Sequence, residues 1–371
     1  MKSTIFSLLL CFAVNVIAAE SMGLRTHFLA DSTRSHWVEN KARPMLIHSF
    51  YPSAESAVPL TFGPSNNDFF ISGRGQRNAP LTELQRGIHP LAIISHGTGG
   101  GVLQMGWLAQ ALVSRGFIVV GVNHHGNTFM EPYLPQGFAH YWERPQDVLF
   151  TLNWALTDSP YNEFIDHSKI ALVGFSLGGY TVLANAGGIT DREYFIHNFC
   201  ESTERDATCD PIPEMPNLRE AYAPLVDDPK VLESLTRQKK SFVDSRIKAV
   251  VSIAPPGHIF SPESLSNIDV PVLILVGDKD KITPAQSNAR YLVGRIRNAE
   301  YQEILLGGHY SMLGLCTPQG MAAMPALCTE HTPRERLDIH GEVSKLTSEF
   351  LMRQLYENPS NKPSLGSAAI H

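Results

Sequence analysis

"KIALVGFSLGGYTVLANAG", residues 169–187, carries a continuous apolar run into a serine flanked by glycines and then into a stretch of small residues. The apolar run reads as a strand covered on both faces, and the Gly/Ala-rich stretch after Ser176 reads as the start of a helix. A GxSxG at such a junction makes a turn so tight that the serine backbone is strained and its Oγ projects. Side chains at Gly174 or Gly178 would collide with the strand and the helix. In a chain with 28 glycines the bare pattern also arises as an ordinary turn of small residues, so its place between strand and helix is what marks Ser176 as a nucleophile.

Outward from this junction the same kind of run recurs: "PLAIISHG" (90–97), "GFIVVGVNHHG" (116–126), "IKAVVSIAPP" (247–256), "VPVLILVGDKD" (270–280) and "AEYQEILLGGHY" (299–310). "LIHSFY" (46–51) is an earlier strand, followed by a polar stretch rich in Pro, Gly and Asn up to residue 89. Between the runs, Leu108/Ala111/Leu112, Val148/Leu152/Ala155 and Val343/Leu346/Phe350 repeat at helical spacing. Strands alternating with helices predict an α/β fold with a doubly wound, mostly parallel sheet, which binds ligands beyond the carboxyl ends of its strands. Two connections are too long for simple crossovers. Residues 186–245 predict a cap inserted at the active-site edge, and residues 310–336 predict a second overhanging loop.

The first residues, "MKSTIFSLLLCFAVNVIAAE", place Lys2 ahead of an apolar run and end it in Ala18 and Ala19, the pattern of a secretory signal over residues 1–19. The mature domain is then expected over residues 20–356, with a disordered tail over 357–371 and no integral membrane segment, in a periplasmic or extracellular location. Four cysteines remain after the leader, an even number that suits an exported protein. Their spacing favours Cys200 with Cys209 and Cys316 with Cys328 among the three possible pairings. A net charge of −6 without a lysine or arginine cluster argues against nucleic-acid or anionic-membrane partners, and 43% apolar with 18% charged residues is the composition of a folded globular chain.

A serine hydroxyl is a poor nucleophile without a base, and the base needs a carboxylate to orient it. His309, in "LLGGHYSML" just past the last strand, is the best-placed base of 15 histidines. For the acid, "GDKDKITP" offers Asp278 and Asp280. The one further out, Asp280, is favoured because it must reach a neighbouring loop, and Asp278 is assigned to capping the turn. The N–H of Leu177 and that of Thr98, in the glycine-dense "SHGTGGG" (95–101), are the expected oxyanion donors. That loop lacks the GK[ST] or GxGxxG spacing of a nucleotide cradle. His96 is read as packing it.

His125 is expected to line the substrate pocket together with Met321 and Met324. A metal pair at His124 and His125 is disfavoured because no carboxylate stands at ligand spacing and no HExxH is present. Glu143, Arg144 and Asp147 read as the start of a helix, with Trp107 and Trp142 as packing residues. No metal and no cofactor are expected.

"SHGTGG", "GFSLGGY", "GDKDKITP" and "GGHYSML" in this order resemble an α/β-hydrolase. More closely the chain resembles the bacterial predicted dienelactone hydrolases related to platelet-activating-factor acetylhydrolases, through "GLRT", "HSFYPSA", "HHGNT", "WERPQDV" and "CTPQGMAAMPALC" as well. The resemblance implies the α/β-hydrolase fold, a triad of Ser176, Asp280 and His309, and oxyanion donors at Thr98 and Leu177. Two departures stand out. Dienelactone hydrolases proper use a cysteine nucleophile, and the acetylhydrolases take their acid from the preceding strand end, where this chain reads "SIAPPG". The expected function is a secreted serine carboxylic-ester hydrolase acting on short or medium acyl esters. Alternatives are a phospholipase A2-like acetylhydrolase, a lipase or polyesterase, a peptidase or amidase, and, from another class, a non-catalytic ligand-binding homologue.

Overall fold

The structure, a computed structural model, describes residues 21–357. The leader expected over 1–19 lies outside them, as does the expected tail apart from Glu357, which closes the helical turn Arg353–Glu357.

The strands are β1 (Ser21–Ser35), β2 (Ala42–Ser53), β3 (Val58–Phe62), β4 (Phe70–Arg77), β5 (His89–Ser95), β6 (Ile118–Asn123), β7 (Ile165–Phe175), β8 (Ile247–Ile253), β9 (Val272–Gly277), β10 (Ala299–Ile304) and the short β11 (Leu315–Cys316). They form one sheet in the order β10-β9-β8-β7-β5-β6-β2-β1-β4-β11, with β3 on β4. From β10 to β6 every pair is parallel, whereas β6 with β2 and β2 with β1 run antiparallel.

The continuous apolar runs become the parallel strands because both of their faces are covered. Leu91, Ile93, Ile170 and Leu172 pack with Val148 and Leu152 of the helix Arg144–Thr157 and with Val182 of the helix Leu177–Ala186. Ala92, Ile94, Ala171 and Val173 pack on the other side with Leu108 and Leu112 of the helix Gly106–Val113 and with Val343 and Phe350 of the helix Pro333–Met352. Burying a Leu or Ile side chain in such a layer stabilises the fold by about 1.5–3 kcal/mol.

The antiparallel half departs from the sequence expectation. β1 carries Phe28 on its outer face, 83% exposed, so its alternation of apolar and polar residues is blurred. β3 and β4 lie in the stretch that reads as polar connection. Gly75 belongs to β4 because a Cβ there would meet the backbone of Met22 in β1, so close strand pairing, and not a turn, is what the glycine serves.

Residues 187–246 hold several short helices and the disulfide Cys200–Cys209, and residues 310–336 hold the disulfide Cys316–Cys328. Among the described residues no helix is long and apolar enough to cross a membrane. β6 lies on one side of β5 and β7 on the other, so the order in which successive parallel strands are added reverses there and a crevice opens beyond the carboxyl ends of β5 and β7.

Candidate active site

β7 ends at Phe175 and the following helix begins at Leu177, which leaves Ser176 to make the whole turn. Its φ of 55° and ψ of −122° are a backbone conformation that a residue with a side chain holds only under constraint. Its N–H donates to the Ile253 carbonyl at 2.8 Å, and its carbonyl accepts the Gly179 N–H at 2.7 Å. Gly178 has no room for a Cβ, which would run into the Ser95 carbonyl at the end of β5.

Ser176 Oγ lies 3.0 Å from His309 Nε2, and His309 Nδ1 lies 2.8 Å from Asp280 Oδ2. A carboxylate only accepts, so Nδ1 carries the hydrogen and Nε2 is left to accept the Ser176 hydroxyl proton. All three side chains are buried. Asp280 stands in the turn after β9 and His309 in the turn after β10. The second oxygen of Asp280, Oδ1, accepts the N–H groups of Ile282 at 2.9 Å and Thr283 at 2.8 Å, so this residue also caps its own turn. Asp278, to which the sequence reading gave the cap, pairs instead with Lys279 at 3.0 Å.

The loop after β5 passes against Ser176: a Cβ on Gly97 would stand 3.2 Å from that of Ser176. Thr98 and Leu177 both line the cavity at Ser176. Leu177 opens its helix, where N–H groups have no intrahelical acceptor. Side chains to which the sequence reading gave no role brace the loop. Asn127 Oδ1 accepts the Gly99 N–H at 2.7 Å, the Tyr133 hydroxyl donates to the Gly99 carbonyl at 2.7 Å, and Asn123 Oδ1 accepts the Val102 N–H at 3.1 Å.

Behind the loop, the polar residues near 143–147 do more than start a helix. Asp147 is fully buried and receives Arg43 on both oxygens at 2.8 and 2.9 Å, with Arg34 Nη2 at 2.7 Å. Burial alone would raise its pKa, but the guanidinium groups of Arg43 and Arg34 and the His124 hydrogen bond hold it well below the usual carboxylate range. His124 donates from Nδ1 to Asp147 at 2.9 Å and accepts the Ser95 hydroxyl at Nε2, also at 2.9 Å. Its own N–H donates to His96 Nε2 at 3.1 Å, and buried Arg144 donates to the His96 carbonyl. Burial, followed by the charge of Arg144, pushes His124 down to about 3 and keeps His96 far below its ordinary value. Both rings are neutral braces for the end of β5.

A cavity of about 470 Å³ opens at Ser176. Residues 207–208 and 210–214 of the long insertion form one wall, and Met324 and Leu327 of the 310–336 loop lie on another. Two expected pocket residues lie elsewhere. His125 is buried away from the cavity because both ring nitrogens are engaged, Nδ1 donating to Glu131 at 2.6 Å and Nε2 accepting the Trp37 N–H at 3.3 Å. Met321 sits within the helix Pro318–Ala323 on its solvent side, 39% exposed, while Met324 at the helix end faces the cavity.

No family model and no curated protein sequence matches the chain. Among solved structures, a ferulic acid esterase from Streptomyces cinnamoneus is similar with a TM-score of 0.56 over 94% of this chain and 95% of that one, at 17% identity. Strand order, crossover helices and this likeness together define the α/β-hydrolase fold.

Proposed function

We propose that the protein is a serine carboxylic-ester hydrolase of the exported kind. The observation that carries this reading is the hydrogen-bonded chain from Ser176 through His309 to Asp280 at the mouth of the cavity. Ser176 Oγ attacks the ester carbonyl and its proton passes to His309 Nε2. The N–H groups of Thr98 and Leu177 take the oxyanion, each donor lowering the barrier by about 3–4 kcal/mol. His309 then returns the proton to the departing alkoxide, and the alcohol leaves an acyl-enzyme. Water then attacks the acyl carbonyl as its proton passes to His309, which gives that proton to the departing Ser176 Oγ and so releases the acid and the free serine. Asp280 holds the imidazole in the tautomer that each step needs.

The chemistry named for the Streptomyces esterase belongs to the same reaction class and supports this reading. A cavity of this volume suits short or medium acyl chains. Two disulfides fit an oxidising compartment, in keeping with the leader-like N-terminus. The test is a p-nitrophenyl ester panel from acetate to palmitate on the wild type and on Ser176→Ala. The variant is expected to lose about 10⁴- to 10⁶-fold in kcat, with the wild-type optimum at butyrate to octanoate. Equal rates for the two proteins would overturn the proposal.

A further inference from the structure

The cavity at Ser176 has an uneven charge. Among the described residues neither lysine nor arginine lines it; the ionisable groups on its wall, tyrosines aside, are Asp210, Glu214 and His309. Asp210 turns outward to Arg205 at 2.6 Å. Glu214 does not. Its carboxyl meets no cation among the described residues, and its one hydrogen bond is with its own backbone N–H. Burial, only partly offset by that bond and by His309, pushes it above the ordinary range.

Glu214 lies directly over the oxyanion loop. A Cβ on Gly99 would come within 2.7 Å of Glu214 Cγ and 3.0 Å of the Tyr133 hydroxyl, so carboxyl stem and phenol flank the same glycine, next to Thr98. Tyr133 and Tyr310 line the same cavity as Glu214, and its charge raises the pKa of both phenols. Phe129 and Phe138 extend the aromatic wall.

The segment holding Glu214 is fastened. Pro211 and Pro213 restrict its backbone, the Cys200–Cys209 disulfide closes just before it, and Asp206 accepts the Asn288 side chain at 2.7 Å from the body of the domain. A half-buried carboxyl on a restrained segment, paired with no cation among the described residues and sharing its cavity with aromatic rings, is complementary to an ammonium group: the rings attract it by cation–π interaction and the carboxylate gains a counter-charge. The same wall repels an ester bearing a carboxylate or phosphate.

We propose that Glu214 is a specificity residue that selects esters carrying a cationic ammonium group beside the scissile bond, held between the carboxylate and the rings of Tyr133 and Tyr310. The inference rests on the esterase reading for its reaction, but its recognition step is separable. Butyrylthiocholine and its uncharged isostere S-(3,3-dimethylbutyl) thiobutyrate differ only in charge. Wild type is expected to favour the cation at least tenfold in kcat/KM, Glu214→Gln to reduce that ratio fivefold or more, and Glu214→Lys to reverse it. Calorimetry on Ser176→Ala should show butyrylthiocholine binding at least fivefold tighter than the isostere, a readout independent of turnover. A Ser176-dependent p-nitrophenyl butyrate activity with a cation-to-isostere ratio near one, or a ratio untouched by Glu214→Gln, would overturn this inference and leave the esterase reading standing. Absence of all hydrolysis would overturn the esterase reading, and the binding comparison would still decide the cation site.

Discussion

Asp280 divides its carboxylate between two tasks, Oδ1 receiving the backbone N–H groups of Ile282 and Thr283 while Oδ2 receives His309 Nδ1. An amide in its place can accept at only one atom and would present N–H₂ either to the turn or to the imidazole, favouring the wrong tautomer. Asp280→Asn is therefore expected to lower kcat by about 10³- to 10⁴-fold with a smaller change in KM. Asp278→Asn, whose carboxylate faces Lys279, should stay within about threefold of wild type. Steady-state kinetics on one p-nitrophenyl ester separates them, and equal losses would remove the orienting role from Asp280. At this scale Ser176 was legible because a tight turn restricts residue types on both sides. Asn127, Tyr133 and Glu214 were not, since they act across long sequence distances: the Tyr133 hydroxyl reaches Gly99, 34 residues away.

The helix Arg144–Thr157 illustrates how an element can serve the site without touching it. Its first turn puts Arg144 under the loop after β5 and Asp147 into a buried cluster with Arg34, Arg43 and His124. Two guanidinium groups are taken from water there and share the carboxylate of Asp147, with Asp31 and Glu143 also facing Arg34. Asp147→Asn keeps the shape but takes away the counter-charge of Arg43 and one of the carboxylates around Arg34, which should destabilise the fold by about 3–5 kcal/mol in urea unfolding. A loss under about 1 kcal/mol would mean that Arg34 finds enough compensation in Asp31 at 2.7 Å. The letters "WERPQDV" showed a helix start through Pro145 but gave no sign of burial. Charge on a first turn reads the same whether it faces water or a guanidinium brought from β2. The parallel strands were legible because covering both faces demands unbroken apolar runs. β1 was not, since Phe28 points to solvent.

Across the whole molecule, the sheet buries titratable groups as well as apolar ones. His48, His124 and His340 are pushed down to about 3, by burial first, and His96 lies well below its ordinary value for the same first reason. Each is neutral when folded, whereas in the unfolded chain each takes up a proton as pH falls through about 6.5. Between that value and the folded one the unfolded state binds more protons, so stability from these four residues is complete above about 6.5 and drains away as the medium is acidified. Asp147, also depressed, acts in the same direction but only below the ordinary carboxylate range near 3.9, where its ion pairs are lost. The loss between pH 7 and pH 5 therefore belongs to the histidines. One fully buried ring held near pKa 3 gives up about 2 kcal/mol by pH 5, which for a domain of this size is several degrees of Tm. Calorimetric Tm is expected to be flat from pH 8 to 7 and at least about 5 °C lower at pH 5, and the same scan on His48→Gln should show a shallower slope because one such ring is gone. A Tm unchanged down to pH 5 would mean that these rings reach water or a proton acceptor when folded, and the neutral bracing of the β5 end by His96 and His124 would fall with it.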